Sequence, residues 1–297
     1  MRLITNDDFD GVVCASMIAD MEKIDEIHFA HPKDVEDGLV EVRDGDIVAN
    51  LPFHPNASMW FDHHAKGDEV SVLPAGVKGR VGISPSAASL VYGYYNSEKL
   101  EHYNEVLKYV DKYDEANLTY EEVLKPESWV LLGITLDSRT ALGDTSEYAL
   151  EIIAALRKGL PINEILELPV AKGRVRNYLR DEIKFKKEIM RCTDMEGPVS
   201  ITDFRGLDEI PVGNRFQVFA LFSRCNVNVR VYDHRDVTKV MVAVGKSIFD
   251  RSNTHHIGDL MAKYGGGGLE GAGSCPLPVN GADGIINDIV KRLKLQK

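Results

Sequence analysis

In the first half of this chain, short apolar runs of strand length alternate with runs of helical length, and polar clusters stand where the short runs end. "RLIT" leads into "DDFDG", after which "VVCASMIADMEKI" is long enough for a helix. "EIHFAHP", "DIVANLPF" and "SMWFDHH" read as further strands, and the Ser-Pro-Ser of "SPSAASLVYGYYNS" provides a helix N-cap. "ESWVLLGITLDSR" reads as one more apolar run, with Asp137 as its strand end. The rhythm predicts an α/β fold, a mostly parallel sheet with helices on both faces. Sheets of that kind bind ligands beyond the carboxyl ends of their strands. Asp8 and Asp10, Asn50, Asp62 with His63 and His64, and Asp137 fall there.

At 297 residues the chain exceeds one ordinary core and is expected to form two domains. The first covers residues 1–168. The charged, helical stretch "PVAKGRVRNYLRDEIKFKKEIMRC" supplies a linking helix within 169–196. Beyond it "VSITDF", "VNVRVYDH" and "KVMVAVGKS" read as strands of a smaller α/β domain over 197–297. That domain closes with "HHIGDLMAKYGGGGLEGAGSC" and a last helix, "GIINDIVKRLKL". An active-site cleft is expected between the two domains.

Composition narrows the classes of function. With 44% apolar and 27% charged residues, the chain has the profile of a soluble globular protein. No segment approaches the ~20 apolar residues that span a bilayer. "MRLITNDDFDG" turns acidic too early for a secretory signal, so a cytoplasmic location is expected. The four cysteines show no CxxC spacing, which suits reduced thiols. A net charge of −11 argues against a broad basic footprint for duplex nucleic acid. It argues equally against the basic channel that a long polyanion wants. A small phosphorylated ligand, held by a metal and a few local cations, remains open.

Taken singly, each polar cluster has a plain explanation. "NDDFDG" has the composition of a turn, and adjacent histidines are common on surfaces. Asp8 and Asp10 would share a side if the segment is extended. Co-occurrence is what raises the set: each cluster ends an apolar run, in a fold whose strand ends form the site. Oxygen ligands with one imidazole suit Mn²⁺ or Mg²⁺ better than structural zinc.

These residues resemble the DHH phosphoesterase superfamily, named for an Asp-His-His motif. The resemblance covers nearly the whole chain and includes a C-terminal associated domain whose glycine-rich signature is similar to "YGGGGLEGAGSC". It implies that Asp8 ligates one metal and that Asp10 and Asp137 ligate another, with His63 also a ligand. It further implies that Asp62 orients His63, that His64 lies near phosphate, and that a metal-activated water attacks phosphorus. Arg251 and the backbone of Gly265, Gly266, Gly267 and Gly268 are the implied phosphate binders.

Three positions depart from the family pattern. Asn6 stands where the family has His or Asp, Asn50 stands where it has a bridging aspartate, and no histidine follows His256 into the glycine signature. One good metal site and one poor one are therefore expected. "HPKDVEDG…NLP…FDHH" looks most like the exopolyphosphatase-related and nano-RNA phosphatase-like branch. The implied function is hydrolysis of a short oligonucleotide, nucleotide phosphate or pAp-like substrate with Mn²⁺ or Mg²⁺. One alternative is an impaired phosphoesterase-like protein that binds a phosphorylated ligand or short single-stranded nucleic acid; another is an exopolyphosphatase. A homodimer is compatible with any of these. His54 could ligate a metal or sit in a surface loop, and His255 and His256 could approach phosphate or cap the following helix.

Overall fold

The computed structural model describes residues 1–64, 72–140, 142–209 and 212–295. It separates into two compact units. One combines Met1–Leu118 with Pro126–Asn177, and the other combines Thr119–Lys125 with Tyr178–Lys297.

The first unit is built on strands β1 (Arg2–Thr5), β2 (Glu26–Phe29), β3 (Asp46–Ala49), β4 (Ala57–Asp62) and β5 (Lys78–Val81). They lie in the order β2-β1-β3-β4-β5, and every pairing is parallel. Strands β1 and β3 are buried at every position, so their apolar residues are consecutive and not alternating, Leu3–Ile4 and Ile47–Ala49, with Arg2 and Asp46 paired at the strand starts. One face carries Ile4, Val48 and Trp60, which pack with Val35 and Val42. From the opposite face, Phe61 meets Tyr94 and Tyr95 of the helix Ala87–Tyr95 edge-on or tilted. The mostly parallel sheet expected from the sequence is thus present.

The run "SWVLLGITL" is a helix, not a strand: it spans Ser128–Leu136, with Asp137 as its C-cap. The correction has a simple cause. A helix buried on all sides is apolar all round, so its sequence carries no 3.6-residue period to tell it from a buried strand. All its residues from Trp129 to Leu136 are buried. A second correction concerns Asp8 and Asp10. They share no extended segment; Asp8 is the N-cap of the helix Phe9–Met21 and Asp10 lies in its first turn.

The charged stretch forms one helix, Pro169–Cys192. Ala171, Tyr178, Phe185 and Ile189 are its fully buried positions, spaced to share one face. The second unit holds a sheet of β6 (Thr193–Glu196), β7 (Val199–Asp203), β8 (Val227–Asp233), β9 (Lys239–Lys246), β10 (Gly267–Gly268) and β11 (Ala272–Pro278). The order is β10-β11-β9-β8-β7-β6, with only the β7–β8 pairing parallel. Val229, Val242 and Val244 of this sheet pack with Ile289 and Leu293 of the helix Ala282–Lys294. The short segment Thr119–Lys125 joins this unit through side chains the sequence rhythm did not mark. Tyr120 stacks on Phe249 with ring centroids 3.8 Å apart, and Lys186 donates to the Leu124 carbonyl at 2.7 Å.

Candidate metal centre

The carboxyl ends of three adjacent strands bring the polar clusters of the first unit together. Asn6, Asp8 and Asp10 follow β1, Asn50 follows β3, and β4 ends at Asp62, ahead of His63 and His64.

Gly11 is what allows the first cluster to fold tightly. A Cβ there would lie 2.0 Å from the Asn6 carbonyl oxygen, so only glycine lets the helix start approach the loop that feeds it. Asp8 caps this helix, accepting from the Gly11 N–H at 2.9 Å. Its carboxylate also accepts from the side-chain amides of Asn6 at 2.7 Å and Asn50 at 3.0 Å. Asn50 is 3% exposed and holds a left-handed backbone, φ 53°, which asparagine tolerates better than most residues. Burial raises the Asp8 carboxyl above its usual range, against the opposing pull of the Gly11 N–H.

Asp10 is buried, with its two oxygens accepting from the backbone N–H groups of Ala87 at 2.9 Å and Ala88 at 2.8 Å. Those groups open the helix Ala87–Tyr95, capped by Ser86, and their orientation favours an anion. Burial still dominates, and the charge of Asp8 adds to it, so Asp10 is pushed up to about 7.

His63 is held from one side. Its Nδ1 lies 3.1 Å from the Ser84 carbonyl, an acceptor, which places the proton on Nδ1 and the lone pair on Nε2. Nε2 faces two carboxylates, Asp10 Oδ2 at 3.6 Å and Asp114 Oδ2 at 3.2 Å. It is buried and has no hydrogen-bond partner. A lone pair aimed at two anionic oxygens is unfavourable by itself and favourable around a cation. Among the described residues, Asp10, His63 and Asp114 form the group whose donor atoms lie within 4.8 Å of one another, as ligands of one ion require. One imidazole and two carboxylates fit a divalent cation of the manganese or magnesium type.

Asp114 ends the helix Asn104–Asp114, with about a third of its side chain (31%) open to solvent. Its withdrawal from water and the charge of Asp10 push it up to about 7. The sequence reading did not name it. It is one aspartate among many acidic residues, and only the helix it terminates carries it to the strand ends.

Asp137 has a different environment from the one expected. Arg139 grips both its oxygens, Nε to Oδ1 at 2.6 Å and Nη2 to Oδ2 at 3.0 Å, and the Tyr113 hydroxyl donates to Oδ2 at 3.2 Å. It nevertheless borders the same small pocket, of about 20 Å³, as Asp8, Asp10, Tyr113, Asp114 and Arg139. That volume suits a water or a single ion.

His64 is fixed by Asp62, whose Oδ1 lies 2.8 Å from Nδ1. Burial opposes charge on the ring, but the hydrogen bond and the carboxylates of Asp62, Asp114 and Asp10 outweigh it. The ring is pushed up to about 9 in the metal-free chain, which favours its protonated form. Asp62 therefore orients His64, where the sequence reading had it orienting His63.

The remaining expected residues have local partners. His54 accepts from the Asn56 N–H at 3.2 Å in a turn. His256 caps the helix Ile257–Ala262, accepting from the Asp259 N–H at 3.1 Å. His255 shares Asn253 as a partner and Arg251 reaches the Ile248 carbonyl, both within the second unit. Of the four glycines, Gly265 and Gly266 donate back to Ala262 and Met261 to close that helix, and Gly267 and Gly268 form β10.

No family model matches the chain, and no curated protein does. Among solved structures, the chain is similar to a pGpG-specific phosphodiesterase, PggH, from Vibrio cholerae: 36% identity, 100% of this chain and 99% of that one covered, TM-score 0.84. An exopolyphosphatase-related protein from Bacteroides fragilis shares the fold at 11% identity, with 99% and 93% covered and a TM-score of 0.54. RecJ from Thermus thermophilus, solved with Mn²⁺, does so at 13% identity, with 99% and 52% covered and a TM-score of 0.57. Identity above a third along the full length of PggH, with DHH proteins among the wider structural likenesses, makes this chain a member of the DHH phosphoesterase family.

Proposed function

We propose that this chain is a phosphodiesterase that hydrolyses short linear 5′-phosphorylated dinucleotides, pGpG above all. The observation that carries the reading is the full-length 36% identity to a pGpG-specific phosphodiesterase. The Asp10–His63–Asp114 group, which fits a divalent cation, and His64 beside it are consistent with that activity.

In this reaction a water oxygen bonds to the bridging phosphorus, the P–O3′ bond breaks, and the departing 3′-oxygen of the first nucleotide gains a proton, so that pGpG and water give two GMP. A divalent cation bound at the centre would lower the pKa of a water and offset charge on the phosphoryl oxygens. Asp10 and His63 would hold it, each fixed beforehand, Asp10 by two helix N–H groups and His63 by the Ser84 carbonyl. His64, steadied by Asp62, offers positive charge and a proton to a phosphate oxygen or the leaving oxygen. Arg251 and the Gly267–Gly268 backbone are assigned to substrate phosphate. The net charge of −11 favours a small substrate over a long polyanion.

The test is hydrolysis by the purified chain, with Mn²⁺ or Mg²⁺, of pGpG, other pNpN dinucleotides, longer oligonucleotides, pAp and polyphosphate. Rapid conversion of pGpG to GMP, and slow or no action on polyphosphate, is expected. Preference for polyphosphate or pAp, or binding without turnover at any metal concentration, would overturn the reading.

A further inference from the structure

We propose that Asp114 is a ligand of the catalytic cation, and that the amides of Asn6 and Asn50 occupy the place of a second ion by hydrogen-bonding Asp8, so that the centre takes one cation. The inference rests on the phosphodiesterase reading for its cation, and on independent geometry for its ligands.

The first observation is the Nε2 of His63. Its side chain is nine-tenths buried, its other nitrogen is committed to the Ser84 carbonyl, and Nε2 has no hydrogen-bond partner. It points at Asp114 and Asp10, at 3.2 Å and 3.6 Å. Three donors converge on one point from the end of β4, from the helix Phe9–Met21 and from the C-terminus of the helix Asn104–Asp114.

The second observation concerns Asp8. A carboxylate shared between two cations has one oxygen for each. Here three N–H donors, from Gly11, Asn6 and Asn50, take up both oxygens of Asp8. Each amide supplies a partial positive charge where an ion would supply a full one. Asp137, the carboxylate expected from the sequence to ligate a cation, has both oxygens on the Arg139 guanidinium. Asp114 supplies the anionic ligand that Asp137, so paired, does not.

Manganese binding to the full chain, read as loss of the free Mn²⁺ EPR signal, tests this without turnover. Wild type should bind one ion per chain. Asp114→Asn should weaken binding at least about tenfold, and Glu115→Gln, which removes a neighbouring negative charge, by less than about threefold. Unchanged affinity in folded Asp114→Asn, equal losses in the two variants, or two ions of similar affinity in wild type would overturn the proposal. If Asp114→Asn fails to fold, anomalous scattering from a manganese-soaked wild-type crystal decides: an ion outside coordination distance of Asp114 overturns it. Dinucleotide hydrolysis measured alongside separates the two conclusions. Asp114-dependent binding without hydrolysis sinks the function reading alone, and hydrolysis with Asp114-independent binding sinks this inference alone.

Discussion

Nε2 of His63 lies 3.2 Å from Oδ2 of Asp114. The histidine belongs to the motif that names the family, and the aspartate to no motif found in the sequence. Their meeting places the electrostatic load of the centre on residues whose charge can be altered one at a time.

The amide of Asn50 neutralises part of Asp8, so Asn50→Asp replaces a donor with a second anion about 3 Å from the first. In EDTA the variant should be less stable by about 1–3 kcal/mol, the cost of leaving a buried acceptor facing a like charge. In Mn²⁺ the order should reverse, with stoichiometry rising from one towards two, further still with Asn6→His added. Calorimetric titration and thermal melts in both conditions check this. An unchanged stoichiometry in a folded Asn6→His, Asn50→Asp double variant would show that the amides do not set the number of ions.

The metal-free chain should lose stability as pH rises from about 4 to about 9. Asp10 and Asp114, raised to about 7 in the folded state, bind protons there that the unfolded chain has already released. His64, raised to about 9, does the same between its ordinary value and 9. In each case the folded state holds more protons, so unfolding free energy falls as pH climbs through that window. Melting curves in EDTA between pH 5 and 9 should show the decline, and Asp10→Asn should flatten it between about 4 and 7. Saturating Mn²⁺ at pH 8 should restore stability. A rise in Tm with pH in EDTA would contradict the electrostatics described here.

Asp62→Asn should release His64. With the Asp62 charge and hydrogen bond removed, the ring's titration in metal-free protein, followed by NMR, should move from about 9 towards its ordinary value. Activity should fall by roughly 10–100-fold, as when an orienting carboxylate is lost. A His64 titration unmoved by the substitution would assign the elevated value to Asp10 and Asp114 instead.

The glycine loop separates packing from ligand contact. At Gly266 a Cβ would lie 2.0 Å from the Ser274 carbonyl oxygen and 2.5 Å from the Cys275 Cβ, whereas at Gly267 it meets open space. Gly266→Ala should therefore cost about 1–3 kcal/mol of stability through forced displacement of β11. Gly267→Ala should leave the melting temperature close to wild type. If the Gly267 backbone approaches substrate phosphate, the same variant should raise KM with little change in kcat. Equal melting temperatures for the two variants would show that β11 moves aside without cost.

Much of the fold follows from local pattern. Three short buried runs, β1, β3 and β4, are legible because the inner strands of a parallel sheet are covered on both faces and so carry consecutive apolar residues. Asp10, Asp62, His63 and His64 are legible for the same reason: each stands next to the end of such a run, where the fold gathers its polar groups. What the tertiary structure alone decided is which groups face which. Asp137 ends a helix whose all-round burial erased its period, and an arginine two residues on holds its carboxylate. Asp62 faces His64, whose Nδ1 lies 2.8 Å from its Oδ1. Asp114 joined the centre because the helix Asn104–Asp114 stops beside His63. Proximity of that kind is a property of how helices pack, and no spacing along the chain encodes it.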